Sequence, residues 1–98
     1  MIDRVSFHKD AELELNDSTE YYVSRVKGLG VSFIVVAECA DKQIRENPEF
    51  NQRIFKSIRR KVLWRFLFSI MYSITDNSIR ILAIANQKRR PFYWRSRK

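Results

Sequence analysis

The stretch FSIMYSITDNSIRILAIAN, residues 68–86, alternates with a period of two on both sides of a short polar break. Phe68, Ile70, Tyr72 and Ile74 point one way, Ser69, Met71 and Ser73 the other. Beyond the break, Ile79, Ile81, Ala83 and Ala85 oppose Arg80, Leu82, Ile84 and Asn86. Such alternation is the pattern of paired strands. Asp76-Asn77 between them suits a two-residue type I′ turn, in which both central residues take positive φ. A β-hairpin is therefore predicted here, and the strand composition of residues 58 to about 66 adds a third strand upstream.

Working towards the N-terminus, the period lengthens to that of a helix. Val31 to about Glu46 places Phe33, Ala37, Ala40 and Ile44 on one face, and its middle is apolar nearly all round, which predicts contact with both a partner helix and a sheet. Asn47-Pro48 ends it, because the residue before proline is pushed out of the helical region. Asp10 to about Val26 forms an earlier helix, with Ala11, Leu15, Ser18, Tyr22 and Val26 as its inner stripe and acidic residues near its start, as the helix dipole favours. Gly28-Leu29-Gly30 is a tight link that predicts an antiparallel helical hairpin. Residues 4–8 alternate weakly and read as a first strand. The order βααβββ, a helical pair against an antiparallel sheet, is an α+β arrangement, and 98 residues suffice for one domain spanning 1–98.

Charge is segregated along the chain. Residues 1–52 hold six Lys/Arg against ten Asp/Glu, a net of −4. Residues 53–98 hold thirteen Lys/Arg against Asp76 alone, a net of +12, and the whole chain carries +8. A field this lopsided attracts phosphate or an acidic polypeptide. The cations near the C-terminus are interleaved with Pro91, Phe92, Tyr93 and Trp94, and aromatics among arginines can stack on bases as well as pack on a sheet. No apolar run approaches the length of a membrane span, and the opening MIDRVSFHKD is too charged for a signal peptide. Cys39 is the single cysteine, so an internal disulfide is ruled out and a reducing cytoplasm is the expected setting.

In order and spacing the residues resemble the RelE/ParE superfamily of bacterial type II toxin–antitoxin toxins, more closely its ParE-like branch. The resemblance runs through Phe7-His8, Ala11, Glu14-Leu15, Tyr21-Tyr22, Gly28-Leu29-Gly30 with Phe33, and Asn47-Pro48. It is strongest over Arg65-Phe66-Leu67-Phe68-Ser69-Ile70 with Tyr72, Ile81 to Ala85, Arg90-Pro91, Tyr93-Trp94 and Arg97. Two positions depart from the usual pattern: Leu67 stands where proline is common, and Asn86 where histidine is frequent. The resemblance implies a toxin neutralised by a cognate antitoxin, expected to be acidic, with operator DNA reached only through that antitoxin. ParE-like members bind and poison DNA gyrase without chemistry of their own; RelE-like members cut messenger RNA on the ribosome. A third reading is an inactive member retained as a corepressor with its antitoxin.

The binding reading places target or antitoxin on Arg59, Arg60, Arg65, Arg89, Arg90, Tyr93, Trp94 and Arg95. The nuclease reading would use Arg65, Arg89 and Tyr93 to move protons and stabilise a phosphorane. RelE-like enzymes carry an arginine three residues before the central-strand tyrosine; counted back from Tyr72, that position is Ser69, which shifts the expectation towards binding. His8 is the single histidine, without companions at metal-ligand spacing, so no metal or other cofactor is expected. Asp10, Glu12, Glu14 and Asp17 are expected to face water. Cys39 is expected to be a buried small residue, and Trp64 to pack on a strand.

Overall fold

The computed structural model describes Ile2 and residues 4–98. Strand β1 (Arg4–Phe7) leads into helices α1 (Lys9–Arg25) and α2 (Leu29–Glu46). Strands β2 (Arg53–Phe55), β3 (Ile58–Val62), β4 (Phe68–Thr75) and β5 (Ser78–Asn86) follow. They form one sheet in the order β1-β5-β4-β3-β2. β1 pairs with β5 in parallel, and the other neighbours are antiparallel. The α+β arrangement expected from the sequence is present, with one strand more than predicted. β2 is only three residues long and bulged against β3, too short to leave a periodic signal.

Helix α1 begins where His8, at its N-cap, accepts a hydrogen bond on Nδ1 from the Asp10 amide (3.1 Å). This occupies one of the amides that a helix start leaves unpaired. The link to α2 turns at Gly28, whose φ of 82° is left-handed and suits a residue without Cβ. Gly30, expected in the link, instead lies inside α2 and is buried there. A Cβ on Gly30 would overlap the Val23 side chain and stand 3.1 Å from the Val23 Cα. The glycine thus lets the two helices approach at the closed end of their hairpin.

Both faces of the sheet are covered. The helical face buries Ala11, Phe33, Val36, Ala40 and Ile44 against Phe68, Ile70, Tyr72, Ile79, Ile81 and Ile84. Leu63 and Phe66 join them from an irregular segment after β3, where the predicted strand would have run on to Phe66. There the rings of Tyr22, Phe33, Phe66 and Phe68 meet with centroids 4.9–6.2 Å apart, within the range of favourable edge and tilted contacts. Because β3 stops at Val62, Trp64 turns outward and is 77% exposed rather than packed.

The opposite face buries Ile58, Met71, Leu82, Ala83 and Ala85 under Trp94, which is 3% exposed. Residues 87–98 lie over this face as a succession of turns, so Trp94 is core.

The hairpin departs from strict alternation at one residue. Tyr72 pairs with Ile81 but Met71 with Ala83, so Leu82 is an extra residue in β5. Such a bulge inverts the alternation beyond it. Ile79 and Ile81 therefore share the helical face with Ile84, while Ala83 and Ala85 face the tail. Period-two reading, which kept Ile79, Ile81, Ala83 and Ala85 together, fails at Leu82 because both faces are apolar. At the turn, Asp76 takes positive φ (53°) and Asn77 does not; this is the φ pattern of a type II′ rather than a type I′ turn.

On α2, Phe33, Val36, Ala40 and Ile44 are buried, whereas Val31, Ile34, Val35 and Cys39 are exposed. The apolar character around the helix is only half used within the chain, and Cys39 is not the buried residue expected, because it lies on the outer face.

Replacing Gly30 by alanine is expected to destabilise the protein by about 1–3 kcal/mol through overpacking. A second change, Val23→Ala, is expected to recover part of that loss, as read from urea denaturation of the two single variants and the double variant.

Candidate functional site

β5 continues past the end of its parallel neighbour. β1 pairs only with Ser78–Ile81, and its last contact is the His8 amide on the Ile81 carbonyl (2.8 Å). Beyond that point the outer edge of β5 would leave backbone groups without partners, which is costly when they are buried. Side chains replace the missing strand. Glu14 Oε1 accepts from the Ile84 amide (3.1 Å), and Arg97 Nη1 donates to the Leu82 carbonyl (3.0 Å). The two side chains also pair with each other, Nη1 to Oε1 at 2.8 Å and Nη2 to Oε2 at 3.2 Å. The geometry is bidentate, the strong arrangement for arginine and carboxylate. Each side chain is only 14% exposed.

Tyr93 completes the cluster. Its hydroxyl donates to Glu14 Oε2 (2.7 Å), while Arg89 and Arg97 stack on its ring at 4.0 and 5.1 Å from the centroid. Burial, then the hydrogen bond and charge of Glu14, push the Tyr93 phenol far above its ordinary range, against the lowering effect of the two arginines. For Arg97, burial disfavours the charged form, but the hydrogen bond and charge of Glu14 outweigh it, so the pKa is raised. Glu14, expected to face water with Asp10, Glu12 and Asp17, is thus the inward-facing exception. Its position on the stripe between Ala11 and Ser18 was the available signal.

This cluster fixes the tail, and the tail forms one wall of a groove of about 430 Å³. Ser69, Met71 and Ala85 make the floor, Arg60 and Val62 of β3 the far wall, and Arg89 to Trp94 the near wall. The chain enters the tail through an Asx-type turn, with Asn86 Oδ1 accepting from the Lys88 amide (2.9 Å). Asn86 therefore shapes the groove's end.

Of the residues singled out in the sequence, the groove gathers Arg60, Arg89, Arg90, Tyr93 and Trp94. Among the described residues, Arg60 and Arg90 are exposed and have no ion pair. Arg89 is partly engaged, 3.8 Å from Glu14. Arg59 lies elsewhere: its Nη1 donates to the carbonyls of Glu49 (3.0 Å) and Asn51 (2.6 Å). Together with Tyr72, whose hydroxyl donates to the Pro48 carbonyl (2.7 Å), it holds the loop after α2. Arg65 is exposed in the segment after β3, with its guanidinium 5.6 Å from the Phe66 ring centre. Arg95 is exposed and donates to the Phe92 carbonyl (3.2 Å). Among the described residues, no group of three His, Cys, Asp or Glu could hold a metal ion, and no helix is long and apolar enough to cross a membrane.

A strand, a helical hairpin and an antiparallel sheet closed by the parallel return of the first strand define a βαα–sheet fold with a tail-walled basic groove. The same fold is found in a solved chain of the chromosomal ParDE TA system from P. aeruginosa. The superposition has a TM-score of 0.63 at 15% sequence identity and covers 87% of this chain and 96% of that one. No family model matches the sequence, and no curated protein does.

Two outcomes are expected from the tail cluster. Glu14→Gln leaves Arg97 buried without its counter-charge and should lower stability by about 3 kcal/mol. In a Trp64→Phe background the unfolding is read directly from Trp94 fluorescence. Because the Tyr93 pKa is raised on folding, its contribution to stability is complete below the ordinary phenol range of about 10 and is lost only as pH rises beyond it. Tyr93→Phe should therefore remove no absorbance step at 295 nm near pH 10 while the protein stays folded.

Proposed function

We propose that the chain is the toxin of a bacterial type II toxin–antitoxin module, residues 1–98 acting as one ParE-like toxin domain in the cytoplasm. It acts by binding DNA gyrase and is neutralised by a cognate acidic antitoxin, and operator DNA is reached only through that antitoxin. The observation that carries this reading is the fold shared with a ParDE chain over most of both molecules. To this is added a groove whose exposed arginines, Arg60 and Arg90, are unpaired among the described residues.

Binding is favoured over cleavage by the state of the groups a metal-independent nuclease would need. Tyr93 is the groove's titratable hydroxyl, with the charged guanidinium groups of Arg89 and Arg97 on its ring, yet it already donates to Glu14, and its pKa is driven upward. Proton transfer needs a group with a pKa near working pH and a free path to the substrate. Ser69 lies on the groove floor, where RelE-like enzymes keep an arginine, and Arg65 is outside the groove. An acidic segment laid along Arg60, Arg89 and Arg90 is opposite in sign to the +12 half and so complementary to it.

Brief induction in cells separates the readings. Gyrase poisoning gives lost supercoiling and double-strand breaks with intact messenger RNA; prompt transcript cleavage with intact DNA would sink it. Normal growth with neither effect points to a corepressor. For the purified protein, Arg60→Ala combined with Arg90→Ala should slow association with the antitoxin on the order of tenfold at low salt. It should also flatten the salt dependence, as measured by surface plasmon resonance from 50 mM to 500 mM salt (about a threefold span in Debye length).

A further inference from the structure

The helical hairpin is closed at one end and open at the other. Gly30 lets α2 meet α1 at Val23, but towards the start of α1 a slot of about 360 Å³ remains between the helices. It reaches the sheet, so that Ile70, Ile81 and Ile84 lie at its bottom and Phe7, Leu15, Ile34 and Ala37 line its sides. The lining is predominantly apolar, and the volume is in the range of sites that hold a substantial apolar group. Outside the slot, Val23 on α1 and Val31 and Val35 on α2 are also exposed. Exposed apolar side chains on both helices beside an apolar slot are features of a docking face.

Carboxylates outnumber cations among the unpaired charges around it. Glu38 lines the slot, and Glu12 and Glu20 stand one turn before and one turn after Asn16, which also lines it. Among the described residues none of these three carboxylates has an ion pair. Of the nearby cations, Arg45 bonds Asp41 at 2.9 Å and Lys42 is 4.0 Å from Glu46, which leaves Lys9, two turns before Asn16, as the cation without an ion pair among these described residues. The slot is thus an apolar hole in an acidic rim, opposite in sign to the arginine groove.

We propose that this slot is a second docking site, which takes an amphipathic helix that inserts an apolar side chain and carries Lys or Arg beside it. It is distinct from the basic groove, whose partner must be acidic. The chain would then hold two segments of opposite charge at once, on opposite sides of its sheet.

The test uses the full chain and two labelled synthetic helical peptides that share a leucine stripe, one flanked by lysines and the other by glutamates, with binding read by fluorescence anisotropy. The lysine-flanked peptide is expected to bind and to lose at least tenfold in affinity with Ala37→Trp, which fills the slot. Glu38→Lys, on the exposed rim where folding is not at stake, is expected to weaken it severalfold and to raise affinity for the glutamate-flanked peptide. Circular dichroism confirms that both variants fold; if Ala37→Trp does not, Glu38→Lys with Glu20→Lys decides alone. Lysine-peptide binding that is absent, or unchanged in the rim variants, overturns the proposal. So does a concentration-dependent dimer abolished by Ala37→Trp, which would give the slot to a second copy of the chain.

Discussion

The Glu14–Arg97 pair occupies the place where a strand ought to be. A sheet of five strands with a short parallel edge leaves the outer side of β5 unpaired after Ile81, and the Ile84 amide and Leu82 carbonyl there are satisfied by a carboxylate from α1 and a guanidinium from the tail. One ion pair therefore connects all three layers: helix, sheet and tail. Its removal would expose two backbone groups, release the Tyr93 hydroxyl and free the wall of the groove. A buried ion pair is a weak source of net stability compared with apolar packing. Here its value is positional, since it determines where Arg89 and Arg90 stand relative to Arg60.

The protein divides its surface by charge as well as by layer. The helices carry the acidic half, and the sheet and tail carry the basic half. Each half presents a concave feature of matching sign: an acidic-rimmed apolar slot on the helical side and an arginine-walled groove on the other. The helices shield one face of the sheet and the tail the other, so the strands can be apolar on both sides. This explains why FSIMYSITDNSIRILAIAN contains so few polar residues outside its turn and why its bulge is invisible to alternation.

Much of the fold was legible because its signals are local. The helical hairpin, the β4–β5 hairpin, the first strand and the stop at Asn47-Pro48 follow from periodicity and backbone preference within short windows. What was missed depends on distant partners. The sidedness of Ala83 depends on Leu82 having no partner on β4. The burial of Trp94 depends on the tail folding back over the sheet, and the exposure of Trp64 and Cys39 on where neighbouring elements stop. At the site, composition alone pointed to the arginines, but it could not distinguish Arg60, which has no ion pair among the described residues, from Arg59, which is spent on the carbonyls of Glu49 and Asn51. Glu14 was hidden among three carboxylates that do face solvent or the helix start, although its phase on α1 matched the buried stripe.

The parallel pairing of β1 with β5 has a kinetic meaning. Ser6 and Arg80, partners in register, are 74 positions apart, whereas the β4–β5 pairs form across a two-residue turn. Closing so long a loop loses chain entropy before any contact repays it. The β4–β5 hairpin can form from nearby contacts, whereas β1 and α1 both reach β5 across 70 or more positions. The strand that opens the sequence thus has no partner in the sheet until β5, the last strand of the chain, exists.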